Sequence, residues 1–322
     1  MPRPRTSSQM PASRVCIGVV KLLYFFENPP MKIILFSRAQ IAHTPGEIRQ
    51  LFEAIELSGF DYAVNEEFAP VVRQTAGIEL PPEKVYGRHI GKQPAETIMV
   101  CYGGDGTLLE GVHRLCGAPI PVMGINAGHL GFLTSAPSAG LELIFSDIAA
   151  GNITTEPRSL LHIEGDFGEQ PDSTLALNEF TVQRHGAGMI SVETYVDGQM
   201  VATYHGDGVI VSTPTGSTAY SLSAGGPVVA PTCQCLVISP LAPHNLTMRP
   251  VVIPDSGVIS LRVNARRSDA FVTLDDRTYR ISHGAAFTVR RAEQKIFLAV
   301  PHNISFYDTL RNKMMWGIDI RS

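Results

Sequence analysis

The chain has 322 residues, of which 44% are hydrophobic and 17% are charged, and its formal net charge is −4. This composition excludes a disordered protein, and the charge balance offers no basic excess for binding a nucleic acid. The length suits two domains better than one. Five scattered cysteines match neither a disulfide scaffold nor a zinc site, so we expect reduced thiols in a cytoplasmic protein.

Residues 1–30 are predicted to form an N-terminal extension that is disordered or not translated. A basic start precedes an apolar run over 15–26, which is the order found in signal peptides. Against that alternative, Lys21 interrupts the run and no small-residue cleavage site follows it. The run is also too short to span a bilayer, so we expect no membrane partner. The folded protein is predicted to begin at Met31.

Residues 31–135 alternate strands with helices. A buried strand is predicted at 32–36, and Thr44 to Glu47 has the form of a capping box that begins a helix ending near Gly59. Further strands are predicted at 60–65, 97–102 and 120–125, with a long mobile loop over 76–94. Alternation of this kind indicates an α/β domain with a parallel sheet.

Residues 136–300 are predicted to form a β-rich domain that binds NAD, with a linking helix over 136–151. From about Ser159 the hydrophobic period is two and turns recur at short intervals. The predicted strands are 175–183, 190–196, 209–212, 258–263, 271–274 and 296–300. The remaining segment, 301–322, is predicted to pack back on the N-terminal domain, with Met314, Met315 and Trp316 packed against protein.

The first chemical signal is the glycine turn, residues 103–107 (Gly-Gly-Asp-Gly-Thr), between a predicted strand and a predicted helix. Glycines allow a ligand to approach the backbone, and the amides that begin a helix attract phosphate oxygens. Asp105 is the only carboxylate in the turn, and beside phosphates it would hold Mg²⁺ or accept a proton. Both roles suit a kinase. The alternative is an ordinary turn with a capping aspartate.

The second signal is the hydroxyl-rich loop, residues 213–226, which follows the predicted strand 209–212. Its hydroxyl side chains and glycines can bind sugar hydroxyls and phosphates, and Tyr220 can stack on a base. The alternative is an ordinary Ser/Thr/Gly loop.

Both segments resemble the ATP-dependent NAD kinase family. Three further stretches agree in order: 124–133 (Gly-Ile-Asn-x-Gly-x-Leu-Gly-Phe-Leu), Asn178-Glu179 and 206–208 (Gly-Asp-Gly). The likeness runs from about Met31 to the C-terminus. The glycine turn alone is weakly specific, because phosphofructokinases and diacylglycerol-type lipid kinases share it, but the five stretches together are specific.

The resemblance implies transfer of the γ-phosphoryl group of ATP to the 2′-hydroxyl of the adenosine ribose of NAD, with Mg²⁺ or another divalent cation. It implies an α/β domain and a mostly β domain with the nucleotide site in the cleft between them, and a homodimer or homotetramer. Asp105 is implied to be catalytic, by taking the hydroxyl proton. The implied nucleotide-binding residues are Asp105, Gly106, Asn178, Glu179, His205, Asp207, Thr218, Ala219, Tyr220, Ser221, Leu222 and Ser223.

Three positions depart from the family pattern. His205 stands where many relatives have Arg, Glu179 replaces the Asp of many members, and Arg277 lies where relatives often carry an amide. Arg277 is expected to form a surface ion pair, with a phosphate contact as the alternative. Two rival functions remain: a lipid or sphingoid-base kinase built around the same glycine turn, and a non-catalytic nucleotide sensor.

Overall fold

The computed structural model describes residues 32–41, 43–126, 131–134, 136–265, 270–302 and 304–317. The predicted N-terminal extension and Met31 lie outside these residues. No helix within the described ranges is both long enough and apolar enough to cross a membrane.

The described elements are numbered in chain order. The strands are β1 (Lys32–Phe36), β2 (Asp61–Asn65), β3 (Val85–Tyr86), β4 (Thr97–Tyr102), β5 (Val122–Asn126), β6 (Ala136–Pro137), β7 (Ile153–Gly165), β8 (Leu175–Ala176), β9 (Glu179–Arg184), β10 (Ile190–Val196), β11 (Gln199–Gly206), β12 (Gly208–Ser212), β13 (Cys235–Leu241), β14 (Val251–Pro254), β15 (Ile259–Asn264), β16 (Ala270–Leu274), β17 (Arg277–Ile281) and β18 (Ala286–Pro301). The α-helices are α1 (Pro45–Leu57), α2 (Ala69–Val71), α3 (Asp105–Leu115), α4 (Leu141–Ala149), α5 (Tyr220–Ser223) and α6 (Phe306–Met314).

The N-terminal part is a parallel sheet with helices on both faces. Its strands lie in the order β5-β4-β1-β2-β3 and pair in parallel. Alternate residues of β1 point to opposite faces: Ile33 and Leu35 belong to the core under α1, whereas Ile34 and Phe36 belong to the core under α3. The predicted capping box of α1 is confirmed at Thr44, whose side chain accepts the backbone N–H of Glu47.

The C-terminal part is mostly antiparallel β structure. A six-stranded sheet, in the order β14-β13-β12-β9-β16-β17, shares a core with β7, β10, β15 and β18 of the larger sheet. The long strand β18 joins the two parts, because it pairs antiparallel with β7 and β15 and parallel with β5. A parallel α/β domain followed by a mostly antiparallel β domain confirms the predicted fold class.

Three predictions about local structure need correction. Helix α4 packs on the α1 face of the parallel sheet, where Phe145 and Ile148 join the core, so the boundary predicted at residue 136 falls too early. The segment 76–94, predicted as a loop, contains a 3-10 turn at Pro82–Lys84 and the strand β3. The strand predicted over 175–183 is broken between β8 and β9.

Candidate functional site

The carboxylate of Asp105 is held by the loop that follows β5. Asp105, the central residue of the glycine turn, begins α3. Its Oδ1 accepts the backbone N–H groups of Leu133 (3.1 Å) and Thr134 (2.9 Å) and the Thr134 hydroxyl (2.9 Å), while Oδ2 accepts the N–H of Phe132 (2.8 Å). Oδ1 is therefore fully occupied, whereas Oδ2 keeps room for another donor.

Gly131 allows this loop to approach Asp105 so closely. A Cβ atom at Gly131 would lie 1.9 Å from Asp105 Oδ1 and 2.3 Å from Thr134 Oγ1. Only a residue without a side chain fits this position. Residues 131–133 of the family-like stretch thus act on the site through their backbone, because the Phe132 and Leu133 amides bind the carboxylate.

Two cationic side chains flank the glycine turn. Lys313 of α6 places Nζ 3.6 Å from Asp105 Oδ2 and 4.7 Å from the centre of the Phe132 ring. On another side, Arg38 Nη1 lies 3.1 Å from the position of a Cβ built at Gly106. The Arg38 guanidinium also binds Glu110 (2.7 Å) and Asp276 (2.6 Å). Neither cation was expected from the sequence, because neither lies within a recognisable motif.

The hydroxyl-rich loop packs against the Asn178-Glu179 pair. The Thr213 N–H donates to the Asn178 carbonyl at 2.9 Å, and the Thr213 hydroxyl donates to the Leu177 carbonyl at 2.6 Å. A Cβ atom at Gly216 would lie 2.1 Å from the Asn178 carbonyl oxygen, so this close packing requires glycine. Two stretches predicted to bind the nucleotide therefore form one unit.

The Glu179 carboxyl is buried within this unit, with only 7% of the residue exposed. Burial, reinforced by the negative charge of Asp275, raises its pKa to about 8, against a smaller opposing effect of the Tyr220 backbone amide. Oε2 has no hydrogen-bond partner among the described residues. At neutral pH the carboxyl is mostly protonated, so it can donate a hydrogen bond as well as accept one.

Asp275, in the turn between β16 and β17, connects the two parts of the protein. Its carboxylate accepts the backbone N–H groups of Leu177 (2.8 Å), Asn178 (2.7 Å) and Glu179 (3.1 Å). The same carboxylate lies 3.1 Å from Nε2 of His113, on α3. The helix that begins at Asp105 is thereby tied to the Asn178-Glu179 pair.

His205 and Asp207 lie at the other end of β12 from Glu179. Ser212 pairs with Glu179, whereas Gly208 pairs with Gln183. The length of β9 therefore separates Glu179 from Asp207 by about 15 Å. The Asp207 carboxylate binds Arg184, and the exposed His205 accepts the His244 N–H through its backbone carbonyl. Within one chain these residues do not contact Asn178 or Glu179 directly.

The side chains of residues 218–223 face different ways. Tyr220 is 39% exposed and Ser223 is exposed, whereas Thr218, Ala219 and Leu222 are half-buried. The Ser221 hydroxyl is fully buried and hydrogen-bonds Ser239 at 3.0 Å. Because this hydroxyl is bonded inside the protein, the predicted nucleotide contact of Ser221 would be made by its backbone.

Two predictions outside the main motifs are wrong. Arg277 forms no ion pair within the described residues, contrary to the expected surface pair, because its guanidinium donates to the carbonyls of Ser173 and Leu175 at 2.6 Å. Met315 and Trp316 follow the end of α6 and remain exposed, Trp316 by 54%.

The N- and C-terminal halves match separate family models. Residues 82–153 match the ATP-NAD kinase N-terminal domain, and residues 177–301 match the ATP-NAD kinase C-terminal domain. The chain is 36% identical over 295 residues to the NAD kinase of Flavobacterium psychrophilum, covering 91% of this chain and all of the relative. It is 35% identical over 292 residues to the NAD kinase of Bacteroides fragilis, covering 90% of this chain and all of that one.

Two solved structures are similar in fold. The yeast NADH kinase complexed with NADH superposes with a TM-score of 0.76 at 22% identity, covering 92% of this chain and 90% of the other. An Archaeoglobus fulgidus NAD kinase in complex with ATP superposes with a TM-score of 0.66 at 25% identity, covering 88% and 98%. The two family models and the two NAD kinases matched over their whole length show that the chain belongs to the ATP-NAD kinase family.

Proposed function

We propose that this protein transfers the γ-phosphoryl group of ATP to the 2′-hydroxyl of the adenosine ribose of NAD, giving NADP and ADP. The bond from the 2′-oxygen to the γ-phosphorus forms while the bond from that phosphorus to the β,γ-bridging oxygen breaks. The electron pair of the broken bond stays on ADP, and Asp105 takes the hydroxyl proton. Family membership supports the reaction.

The observation that carries this proposal is the state of the Asp105 carboxylate. Four donors fix its orientation, yet Oδ2 retains an acceptor position through which a hydroxyl proton could be received. The carboxylate lies in the first turn of α3, where backbone amides favour phosphate. We assign nucleotide contacts to the Asn178-Glu179 pair, to the half-buried or exposed members of 218–223, and at the distant end of β12 to His205 and Asp207.

Mg²⁺ is proposed to enter bound to ATP. The described residues contain no group of three His, Cys, Asp or Glu side chains that could hold a metal ion. This suits Mg²⁺, which commonly takes most of its ligands from substrate phosphates and water and one or two from the protein. The ion would offset charge on the phosphates, and Asp105 stays free to accept the proton.

The test is formation of NADP from NAD, ATP and Mg²⁺ by the purified protein, detected with a coupled NADP-specific dehydrogenase. We expect Asp105→Asn to lower turnover by about 10²- to 10⁴-fold, because the amide cannot take the proton. NAD affinity should stay close to that of the wild type, since Asn keeps an oxygen for the Oδ1 hydrogen bonds. Asp61→Asn, an exposed carboxylate on β2, is the matched control.

Near-normal turnover of the Asp105→Asn variant would reject Asp105 as the base. If the wild type binds both nucleotides but forms no NADP, the nucleotide-sensor alternative would replace the kinase.

We also propose a homodimer or homotetramer in the cytoplasm. Both sheets end in strands with exposed apolar side chains, Met200 and Val201 on β11 and Val252 on β14, and such edges favour association. The exposed thiols of Cys116 and Cys233 suit a reducing compartment. Light scattering of the purified protein tests the assembly.

A further inference from the structure

The C-terminal helix α6 presents one cation to the catalytic carboxylate. A second capping box begins this helix: the Asp308 N–H donates to the Ser305 hydroxyl at 3.2 Å, and the Ser305 N–H donates to the Asp308 carboxylate at 3.1 Å. Thr309 and Leu310 are buried, which fixes the helix against the protein. Lys313, in the last turn, is thereby placed 3.6 Å from Asp105 Oδ2.

Stability does not explain this contact. The side chains of Lys313 and Asp105 are 35% and 29% exposed, and ion pairs at such positions contribute little to folding. Arg38, the other cation beside the glycine turn, already binds two carboxylates. Among the ion pairs that the described residues form with one another, Lys313 takes part only in the one with Asp105.

A phosphate that approaches Asp105 creates an electrostatic problem that Lys313 can solve. The γ-phosphate and the carboxylate are both negative, and the transition state spreads charge over the equatorial phosphoryl oxygens. An ammonium group acts as a point charge on phosphate, and its flexible four-carbon stem lets it move without the helix moving. The Phe132 ring, 4.7 Å from Nζ, supports the ammonium in this position.

We propose that Lys313 is a further catalytic residue. During transfer its ammonium group moves away from Asp105 and binds the γ-phosphoryl oxygens of ATP. Lys313 keeps its proton throughout, and the hydroxyl proton passes to the Asp105 oxygen that Lys313 vacates. The assignment rests on the proposed kinase function.

The experiment compares Lys313→Met, Lys313→Arg and Arg311→Gln with the wild type. Methionine removes the charge and keeps an apolar stem beside Phe132. Arg311 lies on the same helix but pairs with Asp308, so it is the matched control. Calorimetric titration measures the affinities for MgATP and for NAD separately, and the coupled assay measures kcat and KM for each substrate.

We expect Lys313→Met to lower kcat/KM for ATP by about 10²-fold, as removal of one charge-stabilising group does elsewhere. Its NAD affinity and melting temperature should match the wild type, Lys313→Arg should recover part of the loss, and Arg311→Gln should behave as wild type. A value of kcat/KM for ATP within twofold of the wild type, or above it, overturns the proposal. An equal loss of NAD affinity also overturns it, because that result indicates a structural role.

Failure of the two proposals can be distinguished. If the wild type forms no NADP, the kinase function fails, and the MgATP titration alone then decides the role of Lys313. Weaker MgATP binding by Lys313→Met with normal binding by Arg311→Gln supports it, and equal binding by both variants rejects it. Wild-type protein that binds no MgATP rejects it as well.

Discussion

Glu179 combines two properties that ordinarily exclude each other, a carboxyl group and deep burial. An ionised carboxylate in this position would face Asp275 and would lack a partner for Oε2. The protein avoids this cost because the raised pKa of about 8 keeps the carboxyl protonated at lower pH. An apolar residue would pack there at lower cost, so stability does not account for this buried acid.

The protonation of Glu179 makes stability depend on pH. Between its ordinary pKa of 4.5 and about 8, the folded protein holds a proton that the unfolded chain has lost, so stability falls as pH rises. We expect Glu179→Gln, which cannot ionise, to escape this effect. As pH rises over this range, the free energy of unfolding of the variant should increase relative to that of the wild type by at most about 1.4 kcal/mol per pH unit.

Urea denaturation of both proteins at pH 5.5, 6.5, 7.5 and 8.5 measures the difference. The gain should level off above pH 8, where the folded wild type also ionises. If the difference in unfolding free energy between the two proteins stays constant over the whole pH range, burial does not raise the pKa of Glu179.

At the scale of elements, two glycines near Asp105 have different roles. A Cβ at Gly104 would meet no atom within 4 Å, and the φ of −85° suits alanine, so Gly104→Ala should keep the wild-type melting temperature. It should nevertheless raise the KM for ATP by about tenfold, because the new methyl group occupies space where phosphate approaches the backbone. Gly131→Ala should displace the loop that binds Asp105 and destabilise the protein by about 1–3 kcal/mol.

Differential scanning fluorimetry and the coupled assay separate these outcomes. Gly131→Ala should lose both stability and turnover, whereas Gly104→Ala should lose only affinity for ATP. Equal effects of the two substitutions on the melting temperature would contradict the different roles assigned to these glycines.

Local signals made several elements predictable. The strand at 32–36 and the capping box of α1 depend on neighbouring residues, and both are confirmed. The long strand β7 was missed, and only residues 296–300 of β18 were predicted. Strand β7 contains Pro157 and several charges, and the pairing between β7 and β18 shifts register between Arg291 and Lys295. In such strands, tertiary pairing overrides the alternating pattern.

The same limit applies to the candidate site. Glycines and hydroxyl side chains that act within one turn could be recognised, and the five family-like stretches were found. Asp275 binds amides that lie 96 to 98 positions away, and Lys313 meets Asp105 only after α6 docks. No spacing within the sequence expresses such contacts, so they required the folded structure.

For the whole molecule, the important feature is that both parts share one sheet. Two-domain proteins often unfold in separate steps, since their interfaces are small and polar. Here β18 belongs to the antiparallel core through β7 and β15, and it pairs with the parallel sheet through Leu298 and Val122. The ties from Arg38 to Asp276 and from His113 to Asp275 add contacts between the two parts.

We therefore expect one cooperative unfolding unit, which two core truncations can test. Ile98→Ala lies in the parallel sheet and Leu274→Ala in the antiparallel core, and both side chains are fully buried. Each should cost about 2–5 kcal/mol. Hydrogen exchange, followed by mass spectrometry on the amides of β1 and β9, reports the opening free energy of each part. If unfolding is shared, either substitution lowers protection in both strands by the same amount, because each strand exchanges only when the whole molecule opens. If each substitution affects only its own strand, the parts open independently, and the continuous sheet does not couple the Asp105 side of the site to the Glu179 side.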